Sequence, residues 1–135
     1  MRKALSLIDD GNPNGIALLE SQLLGLLMLD PVSRLEPCLQ TLRPADFESP
    51  HRGVAFGAIM LERRPELGMV VTRLEREGHR PPGNRTGWGD ALARCLDVAM
   101  VDEEAIPDAV RAIREASRRR QLSAIMGGPD GAGAD

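Results

Sequence analysis

The stretch Ile16-Ala17-Leu18-Leu19-Glu20-Ser21-Gln22-Leu23-Leu24-Gly25-Leu26-Leu27-Met28-Leu29 decides the fold class. Ile16, Leu19, Leu23, Leu26 and Leu27 follow the i, i+3, i+4 rhythm of a helix, and Leu24 and Met28 add a second apolar stripe. A helix apolar on most of its sides belongs at the centre of a core. Gly25 in its middle disfavours the helix by about 1 kcal/mol against Ala, so a close helix crossing is expected there. Asp30-Pro31 stops the run.

Five further helical segments are read outward from it. Ser33-Arg34-Leu35-Glu36 has capping-box spacing, so a short helix over 33–42 is expected to bury Leu35, Leu39 and Leu42. Ser49-Pro50 reads as N-cap and first helical residue of a helix reaching about residue 64, with Ala55, Phe56, Ile59 and Leu61 apolar. Leu67, Val70, Val71 and Leu74 mark a fourth, ended by Gly78 as the glycine beyond its C-cap. Leu92, Cys95, Leu96 and Ala99 mark a fifth over 88–100. The sixth runs over 106–126, with Ala109, Val110, Ile113, Ala116, Leu122 and Ile125 as its apolar face and Arg111–Glu115 and Glu115–Arg119 as i, i+4 pairs. No alternating strand pattern occurs. The expectation is an all-α compact bundle of about six helices over 16–126. A flexible arm over 1–15 and a flexible Gly/Ala/Asp tail over 127–135 flank it; Leu5, Leu7 and Ile8 of the arm are apolar enough to pack on the domain.

Composition agrees. The 135 residues include 17 basic, 20 acidic and 2 His, for a net charge of −3, and fit one domain. Aromatics are 2%, with no Tyr, which disfavours a β fold. No apolar run is long enough for a transmembrane helix, and the N-terminal residues lack a signal-peptide core. Cys38 and Cys95 are isolated thiols suited to a reducing cytoplasm, which is the expected location.

Chemistry-bearing patterns are sparse. Lys3 is the one lysine and has no P-loop around it, so neither ATP binding nor lysine catalysis is expected. His51, His79 and the two cysteines lack metal-ligand spacing, and neither cysteine carries a nucleophile motif. Glu103-Glu104 reads as helix N-terminal charge. No enzymatic activity, cofactor or metal is expected. Arg111, Arg114, Arg118, Arg119 and Arg120 crowd one helix. They read as a solvated face partly paired with Asp108 and Glu115, or as a surface for phosphates or an acidic partner. No aromatic accompanies them to stack bases.

Ordered segments of the chain also resemble a family. Glu20-Ser21-Gln22 with Gly25, the apolar run and Asp30-Pro31 resembles the opening of the N-terminal domain of DnaB-type replicative helicases. Leu42-Arg43-Pro44-Ala45-Asp46-Phe47 and His51-Arg52, with Phe56 and Ile59, look like its next segment. Val71 to Gly78, and Ile113-Arg114-Glu115-Ala116 with Arg119, Arg120 and Leu122, resemble later helices. Two places depart. Thr86-Gly87-Trp88-Gly89-Asp90-Ala91-Leu92 lacks the family's tyrosine, and Leu67-Gly68-Met69 replaces its Asp-Thr.

The resemblance implies a non-catalytic protein-interaction module of DNA replication, either an excised domain or a free-standing relative without the ATPase. In that family the domain forms the hexamer collar and docks primase and loading factors. Helicase subunits, primase or a helicase loader are the partners implied. The alternative is a small regulatory or nucleic-acid-binding protein using the Arg-rich helix. Ala109, Val110 and Ile113 in the first half of that helix can be covered by the bundle, whereas Leu122, Ile125 and Met126 overhang it, so a dimer or other homo-oligomer is expected through residues 110–126, with Val110, Ile113, Arg114, Arg118, Leu122 and Ile125 at the interface.

Overall fold

A computed structural model describes residues 14–82, 87–100 and 102–126. Among them are five α-helices, four short 3₁₀ turns and no strand. The α-helices are α1 (Asn14–Leu29), α2 (Pro50–Leu61), α3 (Leu67–Arg76), α4 (Trp88–Asp97) and α5 (Ile106–Met126). The all-α expectation holds. The expected arm gives up Asn14 and Gly15 to the first turn of α1. The rest of the arm, with Leu5, Leu7 and Ile8, and the tail over 127–135 lie outside the described residues.

α1 is the axis of the bundle, with α2, α4 and α5 packed around it. Leu19, Leu23, Leu24 and Leu27 are at most 1% exposed, so both apolar stripes find cover. Gly25 is where α4 crosses. A Cβ there would collide with the Cys95 carbonyl oxygen and lie 2.7 Å from the Ala99 Cβ. The absent side chain lets the two backbones approach, which offsets the helix penalty of glycine.

The helix expected over 33–42 does not form. Three 3₁₀ turns replace it and its connection: Pro31–Leu35, Pro37–Thr41 and Pro44–Asp46. The reason is Pro37. Inside a helix it would lack the N–H for a bond to the Ser33 carbonyl and its ring would clash with that carbonyl. Ser33 is therefore no N-cap; it is buried and its hydroxyl donates to the Asp30 carbonyl at 2.6 Å. Leu39 and Leu42 are buried as expected, but Leu35 is 70% exposed. One turn at a time, i→i+3 bonds carry the chain across the end of the bundle.

α2 begins as read. Ser49 Oγ accepts from the His51 and Arg52 N–H groups, and Pro50 fills the first helical position. It ends at Leu61, short of the expected residue 64, because Glu62 turns extended. The Arg34 guanidinium donates to the Ile59, Glu62 and Arg63 carbonyls and satisfies that helix end. Leu61 is exposed. The Glu62 carboxylate accepts from Arg73 Nε at 2.5 Å and ties α2 to α3.

α3 closes as expected. Gly78 has φ +80°, the Gly78 N–H bonds the Glu75 carbonyl and the His79 N–H bonds the Leu74 carbonyl. These are the paired bonds of a Schellman motif. α4 stops at Asp97 instead of residue 100, because the Met100 N–H leaves the helix to bond the Gln22 carbonyl of α1. No described helix is long and apolar enough to cross a membrane.

Candidate functional site

α5 carries the residues expected to form an interface, and the structure divides them. Ile106, Ala109, Val110, Ile113 and Ser117 are buried against the bundle. Val110 at 3% and Ile113 at 0% exposure are core residues, which removes both from any surface. Arg114, Arg118, Leu122 and Ile125 are exposed, Leu122 by 49% and Ile125 by 71%. By apolar periodicity Val110, Ile113, Leu122 and Ile125 are expected to share one face. At about 100° per residue, Arg114, Arg118, Leu122 and Ile125 span an arc of about 80°. Val110 and Ile113 fall outside it, on the side facing the core. Two stripes, one buried and one open, share this helix.

The junction between them is pinned at one residue, Asp46. Its Oδ1 accepts from Ser117 Oγ at 2.9 Å, and its carbonyl accepts from Arg120 Nη2 at 2.8 Å. Its Oδ2 accepts from the Arg43 N–H at 2.8 Å. Arg120 is thus a fastening, not part of a basic face. The expected Arg111–Glu115 pair is replaced by Arg111–Asp108 at 3.1 Å, and Arg119 lies 3.9 Å from Glu115. Arg114 and Arg118 have no ion-pair partner among the described residues. They line an open cleft of about 340 Å³ with Cys38, Thr41 and Arg111.

Glu20, Asp46, Phe47, Arg52 and Phe56 serve as internal ties. Glu20 and Arg52 pair at 2.6 Å, and the Glu48 N–H donates to the second Glu20 oxygen at 2.7 Å. Phe47 stacks on Phe56 with ring centroids 5.0 Å apart. Asp46 holds α5. Both thiols are pushed up, by burial first; at Cys38 the Glu36 charge adds to this, and at Cys95 a Ser21 hydrogen bond and the Arg52 charge oppose it. Neither is poised as a thiolate. Among the described residues no group of three His, Cys, Asp or Glu could hold a metal ion.

A cavity of about 330 Å³ opens between α1, the start of α2 and α4, with His51, Arg52, Trp88 and Arg94 in its lining. Its walls come from segments more than twenty residues apart, so no local pattern announces it.

No protein-family model matches the chain, and neither a curated protein nor a solved structure is similar to it.

Proposed function

We propose that the chain is a non-catalytic, cytoplasmic protein-interaction module of DNA replication, related to the N-terminal collar domain of DnaB-type helicases. In this reading it engages helicase subunits, primase or a loader through α5. The observation that carries it is the stripe Arg114, Arg118, Leu122 and Ile125, a cationic half continuous with an apolar half on one exposed helix face. An exposed apolar end beside unpaired arginines suits an amphipathic, acidic partner helix. Catalysis belongs to an ATPase that this module accompanies, not to its own residues.

The test is binding of the full chain to the purified helicase, primase and loader of its own organism. Micromolar binding to one of them, lost in Leu122→Glu/Ile125→Glu, is expected. Failure of all three at about 100 μM, a free energy weaker than about −5.5 kcal/mol, overturns the reading.

A second reading rests on Arg111, Arg114 and Arg118 lining one cleft: contact with nucleic-acid phosphates. It requires duplex binding whose logarithmic salt slope approaches about −2 to −3, from two or three neutralised phosphates. Weak, salt-independent binding removes it.

A further inference from the structure

The cavity beside α4 has the form of a small-molecule site. Its volume of about 330 Å³ sits at the lower end of the range for such sites, roughly 300–1,000 Å³. That admits a single ring or a short chain, not a dinucleotide. Leu24, Ala55, Trp88 and Leu92 in its wall are at most 2% exposed, so the floor is rigid core. Val98, 37% exposed, stands at the rim.

The polar lining is one-sided. None of the described residues lining it is acidic, whereas His51, Arg52 and Arg94 all are present. Arg52 is committed: its Nε bonds Glu20 at 2.6 Å and its Nη2 lies 3.6 Å from Glu48. Ser49 Oγ is likewise engaged by the His51 and Arg52 N–H groups, and the Trp88 indole N–H by the His79 carbonyl at 2.9 Å. Arg94 is different. It is exposed and has no carboxylate partner among the described residues. An apolar hollow with one uncommitted cation at its mouth is complementary to an apolar body ending in an anion.

We infer that this cavity binds a small amphipathic monocarboxylic acid, its hydrocarbon in the hollow between α1 and α4 and its carboxylate on the Arg94 guanidinium. A neutral analogue loses the charge-assisted bond, and a cationic one meets Arg94 and Arg52. The site uses no residue of α5, so it stands independently of the α5 interaction.

Trp88 is the only tryptophan and lines the cavity, so it reports occupancy directly. The full chain is titrated with octanoate, octan-1-ol and octylamine while Trp88 emission and the melting temperature are followed. Saturable octanoate binding is expected, at least tenfold tighter than octanol, with no saturable response to octylamine. Arg94→Gln, a change at an exposed position, weakens octanoate about tenfold and leaves octanol unchanged. Val98→Glu places an anion at the rim and weakens octanoate by at least as much. Equal affinity for octanoate and octanol, an unchanged octanoate affinity in Arg94→Gln, or no saturable response up to about 1 mM octanoate (about −4 kcal/mol) overturns the proposal. In each of those cases the α5 reading is untouched, and loss of α5 binding leaves this site as it is.

Discussion

The Glu20 carboxylate, fully buried on α1, is held by the Arg52 guanidinium of α2 at 2.6 Å across 32 positions of sequence. The Glu48 N–H supplies a second bond to the same carboxylate. The pair joins the central helix to α2, and the Glu48 bond adds the segment that leads into it.

Arg52→Ala leaves a charge in the core with one remaining hydrogen bond. The expected loss is about 3 kcal/mol, the low end for breaking a buried pair, because the Arg52 side chain is 23% exposed. Burial pushes the Glu20 carboxyl above the usual carboxylate range, and the Glu48 N–H and Arg52 hold part of that rise back. A carboxyl raised on folding stabilises most when the pH lies below its unfolded value, and that contribution is lost as pH rises through its folded value. Without Arg52 the folded value rises further. The deficit of Arg52→Ala in urea unfolding is therefore larger near pH 8 than near pH 5. A deficit that grows toward acid contradicts this arrangement.

Gly25 tests the helix crossing. Gly25→Ala pushes a methyl into the Cys95 carbonyl and Ala99, and should cost about 1–3 kcal/mol or more despite the helix preference of Ala. Gly68→Ala meets nothing within 4 Å in the first turn of α3, and should be neutral or stabilising by up to about 1 kcal/mol. Thermal melts of the two variants that shift in the same direction would refute the close approach.

Core and overhang separate by truncation of leucine. Leu24→Ala and Leu27→Ala, both at 0% exposure, should each cost about 2–5 kcal/mol. Leu122→Ala, at 49% exposure, should change stability by less than about 0.5 kcal/mol in the monomer. Denaturant midpoints for the three variants check the ranking.

Self-association, if α5 supports it, depends on Leu122 and Ile125 and not on Val110 or Ile113. A chain ending at Gln121 keeps the Ser117 and Arg120 bonds to Asp46 and loses only the exposed turns. Sedimentation equilibrium should show a concentration-dependent dimer for the full chain and a monomer for the truncated one. Two monomers at about 100 μM place any dimer above that dissociation constant and exclude α5 as its interface at that strength.

Helix periodicity alone located α1, α3 and α5 closely, because each has an unbroken i, i+3, i+4 pattern and clear punctuation. The cap at Ser49-Pro50 and the glycine at Gly78 also act locally, through backbone donors, acceptors and φ, so they were readable without a tertiary context. The helix expected over 33–42 rests on capping-box spacing, and Pro37, whose missing N–H forbids that helix, overrides the local signal. Leu35 is expected inside by its hydrophobicity, yet burial depends on what lies opposite, and no described residue covers it.

The sequence by itself determined that this protein is helical and that α1 is its centre, since an all-round apolar helix has to be enclosed. It also determined the absence of a P-loop, which is a matter of residue order. Only the tertiary structure decided that Val110 and Ile113 are closed to any partner while Leu122 and Ile125 stay open, because burial depends on what packs opposite. It alone paired Glu20 with Arg52, and it alone set Trp88, His51 and Arg94 around one hollow. Apart from Trp88 and Arg94, which share α4, these residues lie more than 30 positions from their partners, and local propensity carries no record of contacts at that separation.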